Sequence, residues 1–167
     1  MSNSDTPITC ADIPVGKTVT VKVPASSANL GPGYDTLGVA LGFYDELRVE
    51  RISEGLEFEL SGEGSEAVPR DETHLVIQAM HAAFERGGLH EFPALRLTAH
   101  NRIPHSRGMG SSASAIVAGV AAASGLLPEH AQLSRDQILQ VASDLEGHPD
   151  NVAPSVYGSL SISWGEL

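Results

Sequence analysis

From Gly108 to Pro128 the chain carries no charged residue, and most side chains in that run are those of glycine, alanine and serine. A bilayer span needs about 20 apolar residues. This run approaches that length but has few large apolar side chains, so it matches hydrocarbon poorly. It reads instead as a tightly packed helix inside a protein. Such a helix needs a core around it, and 167 residues with 41% hydrophobic side chains can build one. About 100–200 residues is the usual size of one domain, and the balance is that of a globular chain, not a disordered one.

Charge narrows the partners. Acidic residues number 21 and basic residues 10, for a net charge of −11. There is no excess of Lys and Arg to neutralise the phosphates of a nucleic acid or an anionic membrane surface, although one small anion held locally is not excluded. Cys10 is the single cysteine, which excludes an internal disulfide framework and a multi-cysteine zinc site. With no secretory pattern at the start, a reducing cytoplasm is the expectation.

Residues 1–17 read as a polar lead-in and 18–167 as the domain. Val19, Val21 and Val23 alternate as a strand that Pro24 ends, and Ala25 to Gly38 read as a loop. Asp45 to Ile52 is a second strand, with Leu56 to Leu60 as its hairpin partner. Asp71 caps a helix running to Arg86, stopped by Gly87 and Gly88. Leu95, Leu97 and Ala99 form a strand, and a helix follows Gly110. Ser134 and Gln137 form a capping box for a further helix, ended by Gly147. A short helix within Pro149–Tyr157 and a last strand through Leu160 and Ile162 complete the chain. Strands and helices mix without strict alternation, so the expected class is α+β. The abrupt end leaves open whether the chain is the front part of something longer.

The most informative stretch is Pro104-His105-Ser106-Arg107-Gly108-Met109-Gly110-Ser111-Ser112-Ala113-Ser114, between a strand and the small-residue helix. Glycine permits positive φ and close approach of backbone to a ligand. The first turn of a helix leaves about four N–H groups unpaired, and with the positive dipole end they suit a phosphate. A serine there can help hold the magnesium that travels with a nucleotide. No Lys follows the glycines, so this is not a Walker loop. Ser114 stands where a hydrolase elbow needs Gly. Gly108, Gly110 and Ala113 match G-x-G-x-x-A, but Glu129 lies in a Pro-containing turn rather than at the end of the strand a dinucleotide fold requires. On spacing alone, glycines and serines that merely cap a helix remain an open alternative.

Pro104–Ser114 resembles the phosphate-binding motif of the GHMP small-molecule kinases, P-x-x-x-G-L-G-S-S-A. Met109 replaces the Leu, and Arg107 stands where a small residue is common. Glu146 ends the capped helix, where the dipole disfavours a carboxylate. It is either an exposed boundary residue or a group that wants a cation. The resemblance implies the latter, with Ser112 and Glu146 as the protein ligands of Mg2+. His148-Pro149-Asp150-Asn151-Val152-Ala153-Pro154 contains Asp and Asn that could simply be caps. It resembles a segment of the homoserine kinase branch, which implies that Asn151 helps to bind an amino-acid substrate. A base role for Asp150 is left open.

Pro24-Ala25-Ser26-Ser27-Ala28-Asn29-Leu30-Gly31-Pro32-Gly33-Tyr34-Asp35 is turn chemistry that needs no function by itself. It resembles the branch signature P-A-[ST]-S-A-N-L-G-x-G-[FY]-D, which implies that Asn29 and Asp35 contact substrate. The resemblance implies a ribosomal-S5-like N-terminal domain of a GHMP kinase, without the family's second domain. It implies transfer of phosphate from ATP to the hydroxyl of L-homoserine in threonine biosynthesis, with Glu146 and Asn151 in catalytic roles. Another GHMP kinase acting on mevalonate or phosphomevalonate, or a non-catalytic nucleotide-binding fragment, remains the alternative. A homodimer is left open.

Overall fold

A computed structural model describes residues 7–164, apart from the side chains of Tyr34 and Asp35. Strands β1 (Thr18–Ala28), β2 (Leu37–Arg51), β3 (Leu56–Gly62), β4 (Leu95–Asn101) and β5 (Leu160–Ile162) form one sheet. Helices α1 (Leu75–Arg86), α2 (Ser111–Leu126), α3 (Arg135–Glu146) and α4 (Val152–Tyr157) complete an α+β fold. The strand order is β1-β2-β4-β3, with β5 beside the start of β2. All pairings are antiparallel except β3 with β4, which α1 connects.

The uncharged run is indeed an interior helix. α2 touches β1, β2 and the other three helices, and Ala113, Ile116, Val117, Val120, Ala122 and Ala123 are all buried. Its small residues set the spacing: a Cβ on Gly119 would lie 2.6 Å from the Val76 carbonyl oxygen of α1. Lys17 closes the far end, donating from Nζ to the carbonyls of Leu126 at 2.7 Å and Leu127 at 3.0 Å, where a cation suits the dipole. The end of the lead-in is thus tied down, and Ile13 is buried in the core. No described helix is long and apolar enough to cross a membrane.

Three local expectations fail. Leu56–Leu60 is not the hairpin partner of β2; β3 lies parallel to β4, which sits between them. Leu95 and Leu97 of β4 are fully buried, whereas Leu56, Phe58 and Leu60 are only half-buried. The more apolar strand takes the central place, and the strand with Glu57 and Glu59 outward takes the edge. Pro24 does not end β1 either. The pairing register slips between Pro24 and Ser26, and an edge strand can carry a proline at such an irregularity. So the expected loop from Ala25 to Gly38 is strand to Ala28, then a 3₁₀ turn over Gly31–Thr36, then the start of β2. Finally, α1 starts at Leu75, not Asp71. His74 is its cap, its Nδ1 accepting from the Val76 amide at 3.2 Å, while Asp71 accepts from the Thr73 amide at 2.8 Å in the preceding turn.

Candidate functional site

The chain leaves β4 under the control of β2. Asp45 Oδ1 accepts from the amides of Arg102 at 2.6 Å and Ile103 at 2.9 Å. Burial raises the pKa of this carboxyl, and those two amides oppose the shift. The following loop turns through left-handed backbone at Ser106, Gly108 and Gly110, with φ of 57°, 69° and 65°. Gly110 is doubly constrained, because a Cβ there would lie 2.1 Å from Ser26 Oγ and 3.1 Å from Asn151 Oδ1. The Ser26 amide donates to the Met109 carbonyl at 3.1 Å. The loop is therefore pressed onto β1, and α2 begins at once, its first bond running from the Ser114 amide to the Gly110 carbonyl at 2.8 Å. The earlier amides of the turn are left for another partner.

This turn opens on a cleft of about 620 Å³, within the range of small-molecule sites. Its polar end is the loop with Asn29, Ser112, Glu146 and Asn151, and its apolar wall includes Leu60, Val68, Leu75 and Leu97. Among its described lining residues Arg107 is the only Lys or Arg, against the carboxylates of Asp45, Glu46 and Glu146.

Ser112 and Glu146, 34 residues apart, meet here. The Ser112 hydroxyl donates to Glu146 Oε1 at 2.6 Å. Two ligands at right angles on a Mg2+ ion with ~2.0–2.1 Å bonds lie roughly 2.9 Å apart, so this hard-oxygen pair fits the ion. No described group of three or more His, Cys, Asp or Glu side chains could hold a metal by itself. An ion at this pair would need oxygens from its ligand, as magnesium usually does in phosphate chemistry.

The segment after α3 folds back because Gly147 adopts φ 91°. Asp150 is fully buried and does not line the cleft. Its Oδ1 accepts from His148 Nδ1 and from the Asn151 amide at 2.9 Å. It holds Asn151 in place, and Asn151 lines the cleft with its Oδ1 accepting from Ser26 Oγ at 3.0 Å.

Of the residues singled out in sequence, His105 to Ser112, Ser114, Asn29, Glu146 and Asn151 line one cleft. Pro104 and Ala113 do not reach it, and Ala113 is fully buried in the core. The side chain of Asp35 lies outside the described residues. Sequence reasoning passed over Ser26, Asp45 and His74. Ser26 lay inside a quoted motif with no chemical signal of its own, and the other two act through contacts that only the fold creates.

Residues 74–159 match the family described as GHMP kinases N terminal domain. A homoserine kinase of Corynebacterium aurimucosum is 56% identical over 153 residues, covering 92% of this chain and 49% of that protein. The crystal structure of a homoserine kinase from Cytophaga hutchinsonii superposes with a TM-score of 0.74 at 26% identity, over 89% of this chain and 49% of that one. A Methanococcus jannaschii mevalonate kinase gives 0.68 at 16% identity, over 88% and 53%, which speaks for the fold alone. The chain spans about half the length of the curated relatives it matches.

Proposed function

The chain belongs to the GHMP kinase family, and from that premise we propose that it is the nucleotide-binding half of a homoserine kinase, which transfers the γ-phosphoryl group of ATP to the side-chain hydroxyl of L-homoserine. The observation that carries the reading is the convergence on one cleft of the glycine turn at the start of α2, the Ser112–Glu146 pair and Asn151. The 56% identity to a homoserine kinase favours that substrate over mevalonate or galactose.

Phosphoryl transfer is mostly positioning and charge neutralisation. In this reading the amides of the loop and of the first turn of α2 bind the polyphosphate, and Arg107 adds a cation to a wall otherwise lined with carboxylates. Ser112 and Glu146 hold Mg2+, which would neutralise phosphate charge when bound. The apolar wall takes the base of the nucleotide. Asn29, Asp35 and Asn151 orient homoserine. Asp150 holds Asn151 rather than taking a proton from substrate. The product would serve threonine biosynthesis, and the lone Cys10 suits a reducing cytoplasm.

ADP release by the complete protein, assayed with homoserine, mevalonate and galactose, tests this. A kcat/KM for homoserine at least about 100-fold above the other two is expected. Preference for mevalonate or galactose would move the chain to another branch, and ATP binding without turnover of any of them would make it a non-catalytic nucleotide-binding unit.

A further inference from the structure

Asn151 is held by three buried groups. Its backbone amide donates to Asp150 Oδ1 at 2.9 Å, its carbonyl accepts from Ser155 Oγ at 2.9 Å, and its Oδ1 accepts from Ser26 Oγ at 3.0 Å. All three partners are buried. The direction of the last bond follows from the distances. Ser155 Oγ lies 3.5 Å from Ser26 Oγ, but its single proton goes to the Asn151 carbonyl. At 3.0 Å, Asn151 Oδ1 is a nearer acceptor for the Ser26 proton than Ser155 Oγ, and the Ser26 hydroxyl donates to it. Of the polar atoms of Asn151, Nδ2 alone has no partner among the described residues, and the residue lines the cleft. The same Ser26 Oγ sits beneath Gly110, where a Cβ would meet it at 2.1 Å. One buried hydroxyl thus ties the direction of the amide to the position of the phosphate turn.

We infer that Ser26 is a positioning residue: it locks the Asn151 side chain with its oxygen inward, so that Asn151 offers the substrate a donor and accepts there only an atom with a free lone pair, such as a hydroxyl or carboxylate oxygen. The identity of that substrate rests on the homoserine kinase reading; the polarity of the site does not.

The tests use the complete enzyme. Ser26→Ala removes the lock and leaves the surface of the cleft intact. It is expected to lower kcat for homoserine by about 10- to 100-fold, the scale of a small misplacement, with KM for ATP within about twofold of wild type. Unchanged homoserine kinetics would overturn the inference. Asn151→Asp keeps an oxygen facing Ser26 but replaces the donor with an acceptor. A loss of about 100-fold or more is expected, and activity within about threefold of wild type would show that the oxygen had faced the cleft all along. Side-chain amide relaxation reads the lock without any substrate. The Asn151 NH2 order parameter should fall from about 0.85 in wild type to below about 0.6 in Ser26→Ala, and equal values would overturn the inference. A wild-type enzyme that binds ATP but phosphorylates no homoserine would sink the substrate assignment alone, and the relaxation result would still decide the lock.

Discussion

The two ends of the polar cleft are built from different material. The end proposed for phosphate is backbone: a turn with φ of 69° at Gly108 and 65° at Gly110, leading into first-turn amides that have no partner within the helix. The Asn151 end is side chain, assembled from Ser26 on β1, Asp150 before α4 and Ser155 within α4. A backbone site tolerates many side chains but no Cβ where the turn is tight. A side-chain site tolerates backbone variation but depends on each hydroxyl and carboxylate. The two meet where Gly110 lies against Ser26 and Asn151, so a side chain forced into that space should reach both ends, whereas trimming Ser26 should reach only the Asn151 end.

Gly110→Ala strikes this contact and carries the largest expected effect. A Cβ would lie 2.1 Å from Ser26 Oγ, and a left-handed alanine costs about 1–2 kcal/mol besides. Steady-state assays should show turnover falling about 1000-fold, the upper range for loss of a preorganised donor, with weakened binding of both substrates. Retained homoserine affinity in that variant would separate the two ends. Glu146→Gln leaves the backbone turn intact and removes the carboxylate beside Ser112. About a 100-fold loss is expected, with a raised requirement for Mg2+ in a metal titration, and an unshifted titration would reject the metal assignment. Arg107→Ser should weaken ATP by about 10-fold in calorimetry, a charge-assisted contact, with the loss shrinking in high salt. Adenosine affinity should not move.

The smallest effect concerns the apolar wall. Burial lowers the His74 pKa below its usual 6.5, and Asp71 opposes the shift only in part. The folded protein protonates this cap less readily than the unfolded chain, which takes up a proton below about pH 6.5. The contribution of His74 to stability is therefore complete above that pH and falls away as pH drops. Thermal melts between pH 8 and pH 5 should show a shallower acid loss in His74→Asn, which keeps an acceptor at the cap. An identical slope would assign the loss to other groups.

The same division explains what could be read from sequence. The glycine turn was legible because glycines at fixed spacing ahead of a small-residue helix have few uses, and α2 begins at Ser111 as that spacing implies. The box of Ser134 and Gln137 at the head of α3 was legible too, since both of its bonds are local. The place of β3 was not. Leu56–Leu60 follows β2 closely in sequence, and only the greater burial of β4 decides which strand is central. Ser26 was not legible either, because a serine acquires meaning from a partner 125 residues away. The capping role of His74 was hidden behind Asp71, a better capping type by propensity.

A crystal of the complete protein with a non-hydrolysable ATP analogue and Mg2+ tests the central claim most directly. The account predicts phosphate oxygens within hydrogen-bonding distance of the amides between Gly108 and Ala113, with the ion at Ser112 Oγ and the Glu146 carboxylate. Polyphosphate bound elsewhere, or a turn at Gly110 closed over by protein groups with no room for it, would contradict the account.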